Sequence, residues 1–146
     1  MSARAAIDVQ IASRLPGIPD DRLFRKWLKA ALPTPAELTL RVVNAAEGRN
    51  LNSTFRGKDY ATNVLTFIYH PPGANILMGD VVLCAPVVAR EARDQQKALA
   101  AHYAHLTVHG ALHLAGWDHD SAREAKVMEA REIAILDALG YANPYL

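Results

Sequence analysis

The feature that most constrains this chain is a change of hydrophobic period at Pro86. Before it, apolar and polar residues alternate in short stretches, the pattern that lines one face of a strand. After it, apolar residues recur every three or four positions, the pattern of a helix face. Alternation marks 5–12 (Ile7, Val9, Ile11) and 37–45 (Leu38, Leu40, Val42), and a β-branched and aromatic run marks 62–69. Pro71-Pro72-Gly73 breaks that third strand, and a fourth is expected over 78–84, around Asp80-Val81-Val82-Leu83. Between the first two strands, Pro19, Asp20 and Asp21 open a helix, because proline and acids suit a first turn. Leu23, Trp27, Leu28 and Ala31 give that helix its apolar face, and Pro33 ends it. A short helix fits 45–55.

From Pro86 to Ala115 the helical spacing runs for about 30 residues, long for one globular helix. A break is therefore expected near Gln96 to Leu99, and Gly116 stops the second piece. A last helix is expected from Ser121 to Leu139, capped by Asp120 or Ser121 and ended by Gly140. Strands first and helices after imply an α+β fold. The expected architecture is a single four-stranded mixed sheet covered by about five helices, with an antiparallel sheet the other possibility.

The 146 residues carry 51% hydrophobic and 21% charged residues, which excludes a disordered chain. That length fits one domain spanning 1–146, long enough for an ordinary core. Cys84 is the one cysteine, so neither a disulfide framework nor a cysteine-based zinc finger is available. No apolar run reaches the roughly 18 residues of a membrane span, and the first ten residues lack the apolar stretch of a signal peptide. The expectation is a cytoplasmic protein with no membrane partner. A net charge of +1 gives no support for a strongly basic nucleic-acid binder, though a local basic patch remains open.

Five of the six histidines lie between 102 and 119. His102, His105, His109 and His113 share one face of a helix. His109 and His113 sit one turn apart, the spacing that lets two imidazoles reach one Zn²⁺ at about 2.0–2.1 Å. His105 and His113 are two turns apart, about 12 Å along the axis, too far to share a metal. Gly116 can turn the chain so that His119 folds back as a third ligand. The expected cofactor is one Zn²⁺ per chain on His109, His113 and His119, at the end of a helix. Three histidines leave a fourth position open, the layout of a catalytic rather than a structural zinc.

The skeleton His-x3-His-x2-Gly-x2-His is also that of metzincin proteases, where the residue after the first histidine is the glutamate base. Here it is Gly110. The missing carboxylate argues against a zinc peptidase. Glycine inside a helix costs about 1 kcal/mol relative to alanine, so something approaches the backbone closely, either packing or substrate. If position 110 faces the metal, Gly110→Glu should repel a negatively charged group bound beside the metal while keeping the metal itself.

His109-Gly110-Ala111-Leu112-His113-Leu114-Ala115-Gly116-Trp117-Asp118-His119 resembles the signature H-G-x-L-H-L-x-G-[YW]-D-H of the YbeY family of bacterial rRNA maturation endoribonucleases. Residues 51–59, beginning Leu51-Asn52 and containing Phe55-Arg56, resemble the family's L-N-x-x-[YF]-R segment. Thr62 to Phe67 resembles T-D-V-L-S-F, and Gly79 to Cys84 resembles G-D-[IV]-x-[IL]-[CS]. The resemblance implies a single-strand-specific, metal-dependent endoribonuclease acting in 16S rRNA 3′-end maturation and ribosome quality control. It implies RNA, in the form of an rRNA precursor, and small-subunit assembly proteins as partners. It implies Zn²⁺ on His109, His113 and His119, with Arg56 and His113 carrying the catalysis. The family often has Asp where this chain has Asn63, which keeps hydrogen bonding but not the charge.

The chemistry agrees without the resemblance. A guanidinium binds phosphate bidentately and stabilises developing negative charge, which suits Arg56. Residues 41–59 hold Arg41, Arg49, Arg56 and Lys58 against Glu47 and Asp59, a net of +2, whereas 118–137 carry a net of −3. The backbone-binding side is thus expected around Arg56. His102 and His105 could support the site or contact RNA, or pack in the core. Asp118 or Asp120 could orient an imidazole, or Asp120 could cap the last helix. Trp117 is expected to pack over the turn and Cys84 to be a small buried hydrophobe. Rival readings are a zinc peptidase and a non-catalytic ribosome-assembly factor with a structural metal, which would need a fourth protein ligand.

Overall fold

The computed structural model describes residues 6–32 and 35–146. The expected first residue of the first strand, Ala5, and the helix stop at Pro33 lie outside the described residues. The elements run β1 (Ala6–Ile11), α1 (Asp21–Ala31), β2 (Ala36–Val43), α2 (Ala45–Arg56), β3 (Val64–Ile68), β4 (Leu77–Cys84), α3 (Ala85–Asp94), α4 (Leu99–Leu114) and α5 (Ala122–Ala138). The sheet order is β1-β2-β4-β3. β1, β2 and β4 are parallel, and β3 pairs antiparallel with β4, so the four-stranded sheet is mixed.

Alternation sets the two sheet faces. Leu38, Leu40 and Val42 of β2 and Val81 and Leu83 of β4 point to one side, where they bury against Phe24, Trp27 and Leu28 of α1 and against α4. The other face holds a smaller cluster of Val43, Leu65, Val82, Cys84 and Val87, with Leu51 of α2 and Phe67 packed on it. α1 begins as its sequence requires: the Asp20 side chain accepts the Leu23 N–H at 3.0 Å, a helix N-cap.

The break in the long helical stretch falls at 95–98. Gln96 takes a left-handed conformation (φ 53°), and the Lys97 N–H bonds back to the Ala92 carbonyl at 2.9 Å. α4 and α5 end the same way, with Gly116 (φ 102°) and Gly140 (φ 92°) at the left-handed position. The Trp117 N–H then reaches Leu112 O at 3.0 Å and the Tyr141 N–H reaches Leu136 O at 2.8 Å, the closing bond of a Schellman turn. α4 itself is buried on most of its surface, from His102 and Tyr103 through Gly110 to Leu114. A helix enclosed in this way must lie in the middle of its layer, against the sheet on one side and beside α1, α3 and α5 on the others.

Candidate metal centre

His109 and His113 stand in the last two turns of α4, and the Gly116 turn sends the chain back so that His119 joins them. The His119 ring centre lies 5.4 Å from that of His109 and 5.9 Å from that of His113. The three line one cavity of about 330 Å³, whose opposite wall is Arg56 at the end of α2 together with Lys58, Val64 and Thr66. Asn52, buried in α2, donates to the Tyr60 carbonyl at 2.8 Å and so ties down the loop that forms the rim.

The residues fit a zinc ion. Two imidazoles on one Zn²⁺ at tetrahedral angles, with Zn–N near 2.0–2.1 Å, have ring centres roughly 5 Å apart. The His119 spacings to His109 and His113 are close to this; the donor nitrogens of the three do not all lie within 4.8 Å of one another, and the broad sp³–sp² torsion of histidine lets the rings turn them inward. Among the described residues, the ring nitrogens of His113 and His119 make no hydrogen bond with protein, and neither does Nε2 of His109. Burial holds the half-buried His113 below the usual histidine pKa, helped by His119 and His109 beside it, so its imidazole is neutral as a ligand must be. A tighter group of donor atoms, Asp118, His119 and Asp120, spans at most 4.8 Å. These are consecutive residues on an exposed turn, and Asp118 Oδ1 is already engaged by the His119 backbone N–H at 2.7 Å. They therefore do not displace the three-histidine grouping.

Arg56 is distinguished from the other arginines near it. Arg41 is paired with Glu47 at 2.6 Å and Arg49 with Asp59 at 2.7 Å. Among the described residues no carboxylate pairs with Arg56; its Nη2 donates to the Thr66 carbonyl, and its guanidinium carbon lies 5.6 Å from the centre of the Phe67 ring. A guanidinium anchored on a carbonyl and an aromatic face keeps its charge uncompensated. The basic segment of 41–59 thus reduces, at the cavity, to Arg56 and Lys58.

Comparison with known proteins decides the family. A family model described as Endoribonuclease YbeY matches residues 18–140. The chain belongs to the YbeY family. Relatives named endoribonuclease YbeY include that of Methylobacillus flagellatus, 52% identical over 97% of this chain and 94% of the relative. That of Nitrosomonas eutropha is 55% identical over 94% of this chain and 96% of the relative, and that of Verminephrobacter eiseniae is 56% identical over 84% and 79%. The solution structure of TM1509 from Thermotoga maritima shares the fold, with a TM-score of 0.52 at 22% identity, covering 90% of this chain and 91% of that one.

Within this YbeY-family chain, the structure chooses among the alternatives that the sequence left open for several side chains. His102 is buried and bonded to Glu91 at 2.9 Å, out of reach of the cavity; burial lowers its pKa against the pull of Glu91. Asn63 also donates to Glu91, at 3.1 Å. Asp118 orients no imidazole, and Ser121, not Asp120, caps α5, its hydroxyl accepting the Glu124 N–H at 3.1 Å. Trp117 packs on the core and Cys84 is buried, both as expected. Gly110 does not face the metal position. A Cβ there would point into the sheet, 2.9 Å from Val81 Cγ1 and 3.4 Å from Val64 Cγ2. The glycine serves the close approach of α4 to β3 and β4, so the charge-repulsion argument for Gly110→Glu does not apply.

Sequence reasoning missed Glu132. It is 1% exposed in α5 and accepts from His105 Nε2 at 2.8 Å, from the Tyr145 hydroxyl at 2.8 Å and from His109 Nδ1 at 3.2 Å. Burial pushes its pKa up, but the hydrogen bonds from His105, His109 and Tyr145 outweigh that and hold it at about 2. The signal was present: Glu132 shares the helical spacing of Met128, Ile135 and Leu136, so it falls on the buried face of α5. A carboxylate among core residues must have partners.

Proposed function

We propose that this chain is a metal-dependent endoribonuclease that cuts single-stranded RNA, with His109, His113 and His119 holding one Zn²⁺ and Arg56 binding the phosphate. One observation carries the reading: in a member of this family, a guanidinium that pairs with no carboxylate among the described residues shares a cavity with three imidazoles whose ligating nitrogens, among those residues, make no hydrogen bond. A bound Zn²⁺ would supply Lewis acidity toward a phosphoryl oxygen. Arg56, already oriented by Thr66 and Phe67, offers the remaining N–H groups of its planar fork to the non-bridging oxygens. There it stabilises the charge that develops in the transition state. Lys58 adds a second positive charge at the rim. Val64 and Leu65 form an apolar wall, which lowers the local dielectric and strengthens both interactions.

We give His113 both roles, as a metal ligand that lines the same cavity as Arg56. We read the whole chain, 1–146, as one catalytic domain acting in the cytoplasm on rRNA precursors alongside small-subunit assembly proteins; family membership supports this part. No helix of the described residues is long and apolar enough to cross a membrane.

The test is Arg56→Ala. Metal content should be unchanged, because Arg56 ligates nothing, while cleavage of an unstructured RNA falls by about 10²-fold or more, as when one transition-state donor is lost. Arg56→Lys should recover only part, because lysine lacks the planar fork. Undiminished cleavage by Arg56→Ala refutes the role.

A further inference from the structure

We propose that Glu132 is a positioning residue for the metal site: its carboxylate fixes His109 in the Nδ1–H tautomer and so presents a bare Nε2 to the cavity. The inference deepens the metal reading above and rests on it. The two carboxylate oxygens divide the work. Oε1 takes the His105 N–H and the Tyr145 hydroxyl, each at 2.8 Å, which pins the carboxylate in place. Oε2 is left to His109 Nδ1, at 3.2 Å. A neutral imidazole carries one ring proton, and an ionised acceptor beside Nδ1 keeps it there. Nε2 then needs no proton transfer before it ligates. A carboxylate behind a ligating histidine also fixes the ring plane and raises its basicity.

The supports of Glu132 come from separate parts of the chain. His105 lies one turn before His109 on α4, while Tyr145 comes from the segment after α5. The Tyr145 ring rests edge-on against His105, with ring centres 5.2 Å apart. The C-terminal segment thereby helps hold the Glu132 carboxylate behind His109. His113 and His119 have no such partner among the described residues, so His109 is the ligand set in advance, and the other two converge on it.

Two measurements test this. In the metal-free protein, the ¹⁵N chemical shifts and couplings of the His109 ring should show the Nδ1–H tautomer. Zinc affinity, measured by competition with a chromophoric chelator, should weaken by about 10–100-fold in Glu132→Leu, which has no acceptor, and by less in Glu132→Gln, which keeps an oxygen. Folding of each variant is checked by circular dichroism, and the tautomer measurement on the unsubstituted protein decides the matter if neither folds. An Nε2–H tautomer in a protein that binds zinc overturns the positioning role and leaves the metal reading intact. So does zinc affinity within twofold of the parent in a folded Glu132→Leu. Failure of the unsubstituted protein to bind zinc overturns the metal reading, and this inference with it.

Discussion

Gly110→Ala puts two opposed effects against each other at the contact that sets the depth of the site. In a helix interior the change gains about 1 kcal/mol from propensity. The new Cβ, however, meets Val81 Cγ1 at 2.9 Å, well inside the 3.5–4.0 Å optimum for carbon pairs, and Val64 Cγ2 at 3.4 Å. Val81 cannot yield easily. It is fully buried, its χ1 is stiff, and its backbone is held between Leu40 of β2 and Thr66 of β3. Overpacking of this kind costs typically 1–3 kcal/mol, so the net expectation is a loss of about 1 kcal/mol, or about 3 °C in Tm for a chain of this size. The helix must also lift from the sheet, carrying His109 and His113 away from Arg56, so RNA cleavage should fall with metal still bound. The assay is urea unfolding of the metal-free protein followed by far-UV circular dichroism, run as a double-mutant cycle with Val81→Ala. Removing both Val81 methyls costs about 2 kcal/mol alone, but it clears the space, so Gly110→Ala should then stabilise by about 1 kcal/mol. Equal stabilisation by Gly110→Ala in both backgrounds would refute the packing argument.

His113→Ala should lose the metal, since two imidazoles remain where three are needed; full occupancy by elemental analysis would sink the ligand assignment. Ser121→Ala should cost about 1 kcal/mol in urea unfolding and Asp120→Ala close to nothing, because the serine hydroxyl makes the capping bond; the reverse order would mean that the cap is misassigned.

The strands, the helices and the break before α4 were legible because period and punctuation are local. Gly116 could be read as a stop, and the turn it makes is what brings His119 to His109. The strand order needed the structure, since nothing local says that β4 inserts between β2 and β3. Four histidines on one helical face look like one site, yet packing sorts them: His102 goes to Glu91, His105 and His109 share Glu132, and His113 faces the cavity. The partners that do the sorting lie 11 to 27 residues away in the chain, beyond the reach of spacing arguments. Gly110 shows the same limit. Its cost in a helix signalled a close approach, but only the position of Val81 shows that the approaching group is the sheet.

The account stands most directly on cleavage of an unstructured RNA oligonucleotide by one preparation measured three times: as purified, after exhaustive chelation, and after adding back one equivalent of Zn²⁺. Cleavage should disappear on chelation and return with the single equivalent, while circular dichroism shows the fold retained throughout. Cleavage that survives complete removal of the metal would contradict the claim that His109, His113 and His119 hold the ion on which the chemistry depends.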